Sequence, residues 1–288
     1  SPISARPDWR PAQGKPGSSL ADLQKQALDP FQTAFGICNP LYGVQMVFSE
    51  DMQDAFCRAL NDWLVKEWLD KDARLRGSIV IPTQSVEKSV AEIERCAQDK
   101  RFVQVLMLVM GDVPLGKRAL WPIYAAAERL GLPVGIHAGS AWHNPPTSVG
   151  WGSYHIEDYV AQAQAFQTQL TSLIVEGVFA RHPNLKMVML ESGFTWLPAY
   201  LWRLHKFWRG VRMETPWVDR APAEIVRSNI RFSLQPIDAP PDSATLNRLF
   251  EHMQSDELLL FSTDYPHWQF EGDSALPEGL SPGLVRKI

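Results

Sequence analysis

FVQVLMLVMGDVPLGKRALWPIYAAAERLGLPVGIH, residues 102–137, decides the fold. It opens on FVQVLMLV (102–109), which is apolar almost throughout. A helical stretch follows over 118–130, and Gly131 ends it, as glycine does at many helix C-termini. LPVGIH (132–137) is a second apolar run. Strands that are apolar on both faces and separated by a helix belong to a parallel sheet covered on both sides.

The same alternation extends in both directions. Upstream, AFGICNPL (34–41) reads as a short strand. Residues 50–70 carry helical spacing, with Phe56, Leu60, Trp63, Leu64 and Trp68 on one face. LRGSIVIP (75–82) is a strand, and a helix over 85–98 is capped by Ser85. Downstream of 137 come a loop of nearly twenty residues, a helix over 157–180, and the strand LKMVMLE (185–191). Then follow a helix over 196–211, the strand IRFSLQ (230–235), a helix over 243–253 and the strand LLLFSTD (258–264). An open doubly wound sheet accommodates seven strands, whereas a closed parallel barrel requires eight. No Gly-rich dinucleotide or P-loop turn follows any strand, which removes the usual reason to prefer the open sheet. No internal repeat at a fixed period is present.

Composition bounds the function. The chain has 288 residues, 45% hydrophobic and 21% charged, which is ordinary for a core-former and excludes wholesale disorder. A net charge of −4 without a basic stripe argues against nucleic-acid binding. No apolar run approaches the ~18 residues of a membrane span. Cys38, Cys57 and Cys96 form no close-spaced pair, which fits a reducing cytoplasm, and a cytoplasmic location is expected. Eleven Trp point to aromatic-lined pockets or interfaces, and a homodimer is the working expectation.

In a barrel of this kind chemistry sits at the C-terminal ends of the strands. Three apolar runs end on chemically capable residues: His137 in GIHAG, Glu191 in MLESG and Asp264 in FSTDYPH. One imidazole and two carboxylates on one rim suit a divalent metal, with a carboxylate binding it or taking a proton from metal-bound water. Each also has a bland reading. His137 serves as a hydrogen-bonded structural residue, Glu191 pairs with Arg203, or Asp264 begins the turn before Pro266. Three such residues on one rim favour function. The loop after His137 holds Trp142, His143, Trp151, Tyr154 and His155. It either closes over a ring-shaped substrate or forms a dimer contact. His182, His205 and His252 read as structural or solvated, and Trp196, Trp202 and Trp208 as packing residues.

LPVGIHAG, HPNLKMVMLESGFTWLPAYLWRLH and LLLFSTDYPHW resemble the amidohydrolase-related family of metal-dependent barrels, which includes aminocarboxymuconate-semialdehyde and aromatic-acid decarboxylases. The resemblance runs from about residue 20 to the end. It implies an α/β fold, a distorted (β/α)8 TIM-type barrel with one divalent ion (Zn, Mn or Fe). By that resemblance His137 and Asp264 are metal ligands, and Glu191 stands where many members place a proton-handling histidine. Glu191 and Asp264 are the expected catalytic pair, and Trp142, His143, His155 and His267 the expected substrate contacts.

The family's opening strand, with its D-x-H-x-H or E-x-H motif, has no counterpart here, and 34–41 resembles its second strand. Residues 1–30, with Pro2, Pro7, Pro11, Gly14, Pro16 and Gly17, are expected to be an extended arm or loop without a core of its own. Residues 31–288 are expected to be a single barrel domain truncated at both ends, in which the ion is absent or weakly held. The leading expectation is a metal-dependent hydrolase of a small cyclic or aromatic carboxylic acid or a related ester or amide. The alternatives are a decarboxylase of an aromatic or muconate-like acid, and a non-catalytic ligand-binding barrel that has lost part of its metal site.

Overall fold

Each of the seven apolar runs becomes a strand, shorter than its sequence suggests. In the computed structural model, which describes residues 5–139, 144–272 and 275–288, they are β1 Gly36–Cys38, β2 Leu75–Val80, β3 Phe102–Leu108, β4 Val134–His137, β5 Met187–Leu190, β6 Ile230–Ser233 and β7 Leu259–Leu260. All pair in parallel and in sequence order, from β1 to β7. Among the described residues no strand pairing joins β7 back to β1. The architecture is therefore a seven-stranded, barrel-type parallel sheet rather than a closed ring of eight.

The helices are α1 Leu20–Leu23, α2 Glu50–Leu64, α3 Val86–Cys96, α4 Trp121–Leu130, α5 His155–Val175, α6 Val178–Arg181, α7 Leu197–Val211, α8 Pro222–Asn229, α9 Ser243–Met253 and α10 Pro282–Val285. Side-chain caps start several of them: Ser49 on α2, Ser85 on α3 and Asp242 on α9 each accept a first-turn N–H. None of these helices is long and apolar enough to cross a membrane.

Four expectations are corrected. The helix expected over 157–180 breaks at Gly177, which adopts φ +85°, a conformation that favours glycine. α8 was missed. It is short, opens on Pro222, and buries only Ile225 and Val226 among its larger apolar residues, so its pattern reads as a loop. Phe56, expected on the buried face of α2, is 46% exposed, while Gln53, Cys57 and Asn61 are buried instead. The first thirty residues include α1, and the arm before it packs. Trp9 is buried against Phe270 and Ala275, with Tyr265 beside it, and Arg6 N–H reaches Pro266 O at 2.9 Å.

The reversal on α2 has a cause in hydrogen bonding. β1 pairs only with residues 75–77 of β2, leaving Val80 without a neighbouring strand on that side. The Asn61 amide takes the place of one. Its Oδ1 accepts from Val80 N at 3.0 Å and its Nδ2 donates to Val80 O at 2.9 Å. The same Nδ2 donates to the buried Glu92 carboxylate at 2.7 Å, which Arg95 also holds. A polar side chain inside the fold is stable here because every group it meets is satisfied.

Candidate active site

His137 sits at the last position of β4, inside the rim, because β4 alternates. Val134 and Ile136 enter the main apolar core, and Gly135 and His137 take the opposite face. Gly135 is required by close approach. A Cβ there would lie 2.8 Å from the Gln104 amide carbon and 2.9 Å from Leu190 Cδ1. The Gln104 amide in turn donates to Asn39 and Ser78, forming a polar layer on the inner ends of the first three strands. The loop beyond His137 is held by Gln162 of α5, whose Oε1 accepts from Gly139 N at 3.2 Å.

Glu191 and Asp264 each follow a strand end in the left-handed region, at φ +60° and +51°. Residues with a Cβ are uncommon there, and such strain clusters at functional sites. The turn at Glu191 is held from β6 and the loop after it. Ser233 Oγ accepts Glu191 N–H at 2.9 Å, and Asp238 accepts from Phe194 N at 3.2 Å and Thr195 Oγ1 at 2.8 Å. Asp264 accepts the His267 N–H at its backbone oxygen at 2.8 Å, so it does begin the turn that its sequence context suggested.

The side chains converge. His137 Nε2 lies 3.0 Å from Glu191 Oε1, and His267 Nδ1 lies 2.7 Å from Asp264 Oδ1. Glu191, Asp264 and His267 each offer one donor atom, all within 4.8 Å of one another. Asp264 Oδ2 is buried and lacks a hydrogen-bond partner among the described residues. A buried carboxylate oxygen without a partner, beside a second carboxylate and an imidazole, fits a divalent cation with mixed oxygen and nitrogen ligands.

Within the cluster the charges act on one another. Burial favours a neutral His137 ring, but the Glu191 charge and hydrogen bond outweigh it and lift its pKa to about 9. Burial likewise opposes ionisation of Glu191, yet His137 holds its carboxyl well below the usual range. Burial, reinforced by the Glu191 charge, pushes Asp264 the other way, well above the usual range. The hydrogen bond to Asp264 raises His267 against its own burial. Two buried carboxyl groups beside each other are thus driven to opposite tendencies.

Glu191 does not pair with Arg203, whose guanidinium lies over the Phe207 ring. His267, expected to touch substrate, is hydrogen-bonded to Asp264 within the cluster. His155 is exposed at the first position of α5 and makes no hydrogen bond to the cluster among the described residues. Trp142 and His143 lie outside the described residues. Sequence reasoning missed Ser233 and Asp238, whose only trace is a polar residue at or just past the end of an apolar strand. His182 is buried against Glu128, away from these strand ends, in keeping with its structural reading.

A family model described as amidohydrolase matches residues 2–288. The chain is 24% identical over 239 residues to gamma-resorcylate decarboxylase of Rhodococcus jostii (strain RHA1), covering 77% of this chain and 70% of that protein. It is 30% identical over 148 residues to 2-amino-3-carboxymuconate-6-semialdehyde decarboxylase of Dictyostelium discoideum, covering 49% of this chain and 39% of that one. In fold it is similar to the crystal structure of dihydroxybenzoic acid decarboxylase from Polaromonas sp. JS666, which holds manganese and the inhibitor 2-nitroresorcinol. The TM-score is 0.72 at 22% identity, covering 94% of this chain and 83% of the other.

Proposed function

The chain belongs to the amidohydrolase family, whose relatives here are metal-dependent enzymes, and we propose that it is a manganese-type divalent-metal decarboxylase of a small hydroxylated aromatic carboxylic acid. The observation that carries the reading is the pair of adjacent, largely buried carboxyl groups, Glu191 and Asp264, set beside two imidazoles at the ends of β4, β5 and β7. Sequence alone placed hydrolysis first. The similar proteins are decarboxylases, which favours the second chemistry.

In this reading Asp264 and His137 would hold the ion, with Glu191 and His267 around it. When bound, the ion would supply positive charge that steadies negative charge developing on the substrate. The chain's own part is a proton. Glu191 gives a proton to the ring carbon that bears the carboxylate. The bond from that carbon to the carboxylate then breaks, its electron pair restores the aromatic ring, and carbon dioxide leaves. His137, whose Nε2 lies 3.0 Å from Glu191 Oε1, keeps that carboxylate turned toward the site. Burial of both carboxyl groups excludes the water that would otherwise level their proton affinities. Exposed Trp202 and Trp268 leave a homodimer as part of the proposal.

The test measures bound Mn²⁺ by elemental analysis beside carbon dioxide release from a panel of hydroxybenzoates, with aryl esters and lactones as the hydrolytic arm. His137→Ala and Asp264→Ala are each expected to lose bound metal and turnover. Glu191→Gln is expected to keep the metal and lose ~10²–10⁴-fold in turnover, the range a positioned acid–base group contributes. Ester or lactone hydrolysis without carbon dioxide release would overturn the reading, as would full metal and turnover in Asp264→Ala.

A further inference from the structure

We propose that Ser233 is a positioning residue which, through Gln235 and Ser262, sets the separation of the Glu191 and Asp264 carboxylates; the inference rests on the reading of those two groups as one site. The left-handed backbone at Glu191 is strained for a residue with a Cβ, so its surroundings must hold it there. The β5–β6 pairing runs Met187↔Ile230, Val188↔Arg231, Met189↔Phe232 and then stops. Past that point the Glu191 N–H leaves the backbone pattern and takes the Ser233 side chain at 2.9 Å. The Ser233 hydroxyl proton is committed to Gln235 O at 3.2 Å, so its oxygen faces Glu191 as an acceptor. Ser233 is 4% exposed and Gln235 0%, so bulk water does not compete.

The connection continues to the other carboxylate. Gln235 N–H donates to Ser262 Oγ at 2.9 Å, two residues before Asp264, which is itself left-handed. Three hydrogen bonds thus lead from the Glu191 peptide to the segment that presents Asp264, all through the end of β6. The His137 contact aims the Glu191 carboxylate, but it does not tie the Glu191 backbone to the Asp264 segment. The end of β6 does. Two carboxylates held too far apart cannot share an ion, so this brace governs metal binding.

The experiment compares Ser233→Ala, Ser262→Ala and Ser233→Thr with Asp242→Ala, which removes the α9 cap remote from the site. It reads amide hydrogen exchange at Glu191 and Gln235 by NMR, Mn²⁺ affinity by titration, and kcat against KM. Ser233→Ala is expected to speed Glu191 exchange at least tenfold. It should also weaken Mn²⁺ binding by about 10–100-fold, the usual loss when a group that orients ligands is removed. Ser233→Thr keeps the oxygen and restores both. Ser262→Ala speeds Gln235 exchange and weakens Mn²⁺ binding, and it decides the matter if Ser233→Ala does not fold. Asp242→Ala lowers the melting temperature and changes neither readout. Unchanged Glu191 exchange in a folded Ser233→Ala overturns the proposal, as does an equal loss of Mn²⁺ affinity in Asp242→Ala. A native chain that binds Mn²⁺ but turns over no hydroxybenzoate sinks the decarboxylase reading alone and leaves the brace to be judged on exchange and affinity.

Discussion

Asn61→Ala removes three buried hydrogen bonds at once: two to the Val80 peptide at 3.0 and 2.9 Å and one to Glu92 at 2.7 Å. Val80 is fully buried, so neither its N–H nor its C=O gains water in exchange. Each orphaned backbone group costs about 1–3 kcal/mol, which gives about 2–6 kcal/mol before any cavity is counted. That is a large share of a typical total of about 5–15 kcal/mol. Asn61→Asp separates hydrogen bonding from packing, because it leaves no cavity. It keeps the acceptor for Val80 N, loses both donors, and sets a second carboxylate against Glu92, so it too should cost several kcal/mol by this reckoning. The assay is equilibrium urea unfolding followed by tryptophan fluorescence and circular dichroism. Met52→Ala, on the exposed side of the same helix, serves as the reference and should shift stability by no more than about 0.5 kcal/mol. Loss of less than about 1 kcal/mol in both Asn61 variants would refute the idea that this amide stands in for a strand.

Other outcomes follow from the same structure. Gly135→Ala drives a methyl into Gln104 and Leu190 beneath His137, and should cost ~1–3 kcal/mol with loss of turnover; a native melting temperature would show that the layer gives way freely. Asp72 is held ionised by Arg74 at 2.6 Å, against its burial and with help from Gln24 at 2.9 Å, so its carboxyl lies below its ordinary range. Because its folded pKa is depressed, its contribution is present above the unfolded value of about 3.9 and is lost as pH falls toward the folded one. Asp72→Asn should therefore flatten the acid limb of the stability curve below about pH 4, as measured by urea midpoints across pH. Ser85→Ala removes the oxygen that caps α3 and should cost about 1 kcal/mol in thermal unfolding.

The strands were legible because parallel strands buried on both faces are apolar without interruption, as β2 and β3 are. Helix faces were less so. Phe56 was assigned inward by hydrophobic spacing alone, whereas the unpaired edge at Val80 draws Asn61 inward. No periodicity argument anticipates an amide that satisfies a strand. His137, Glu191 and Asp264 were findable because each interrupts or ends an apolar run. His267 is expected to contact substrate, and in the structure a turn of three residues brings its ring onto Asp264. Ser233 carried no signal, since a serine closing a strand is unremarkable until the backbone it holds is seen.

The left-handed geometry at Asp264 has an evolutionary consequence. Glycine there would relieve the backbone and remove a carboxyl group whose ionisation burial disfavours, so Asp264→Gly is a candidate to raise the melting temperature, whereas Glu191→Gly would strip the buried His137 ring of its partner. A screen that rewards thermal tolerance alone would therefore drift toward glycine at residue 264 and erase the site without disturbing the scaffold. Laboratory evolution of this chain needs a selection that sees chemistry as well as folding, because at residue 264 the two demands pull in opposite directions.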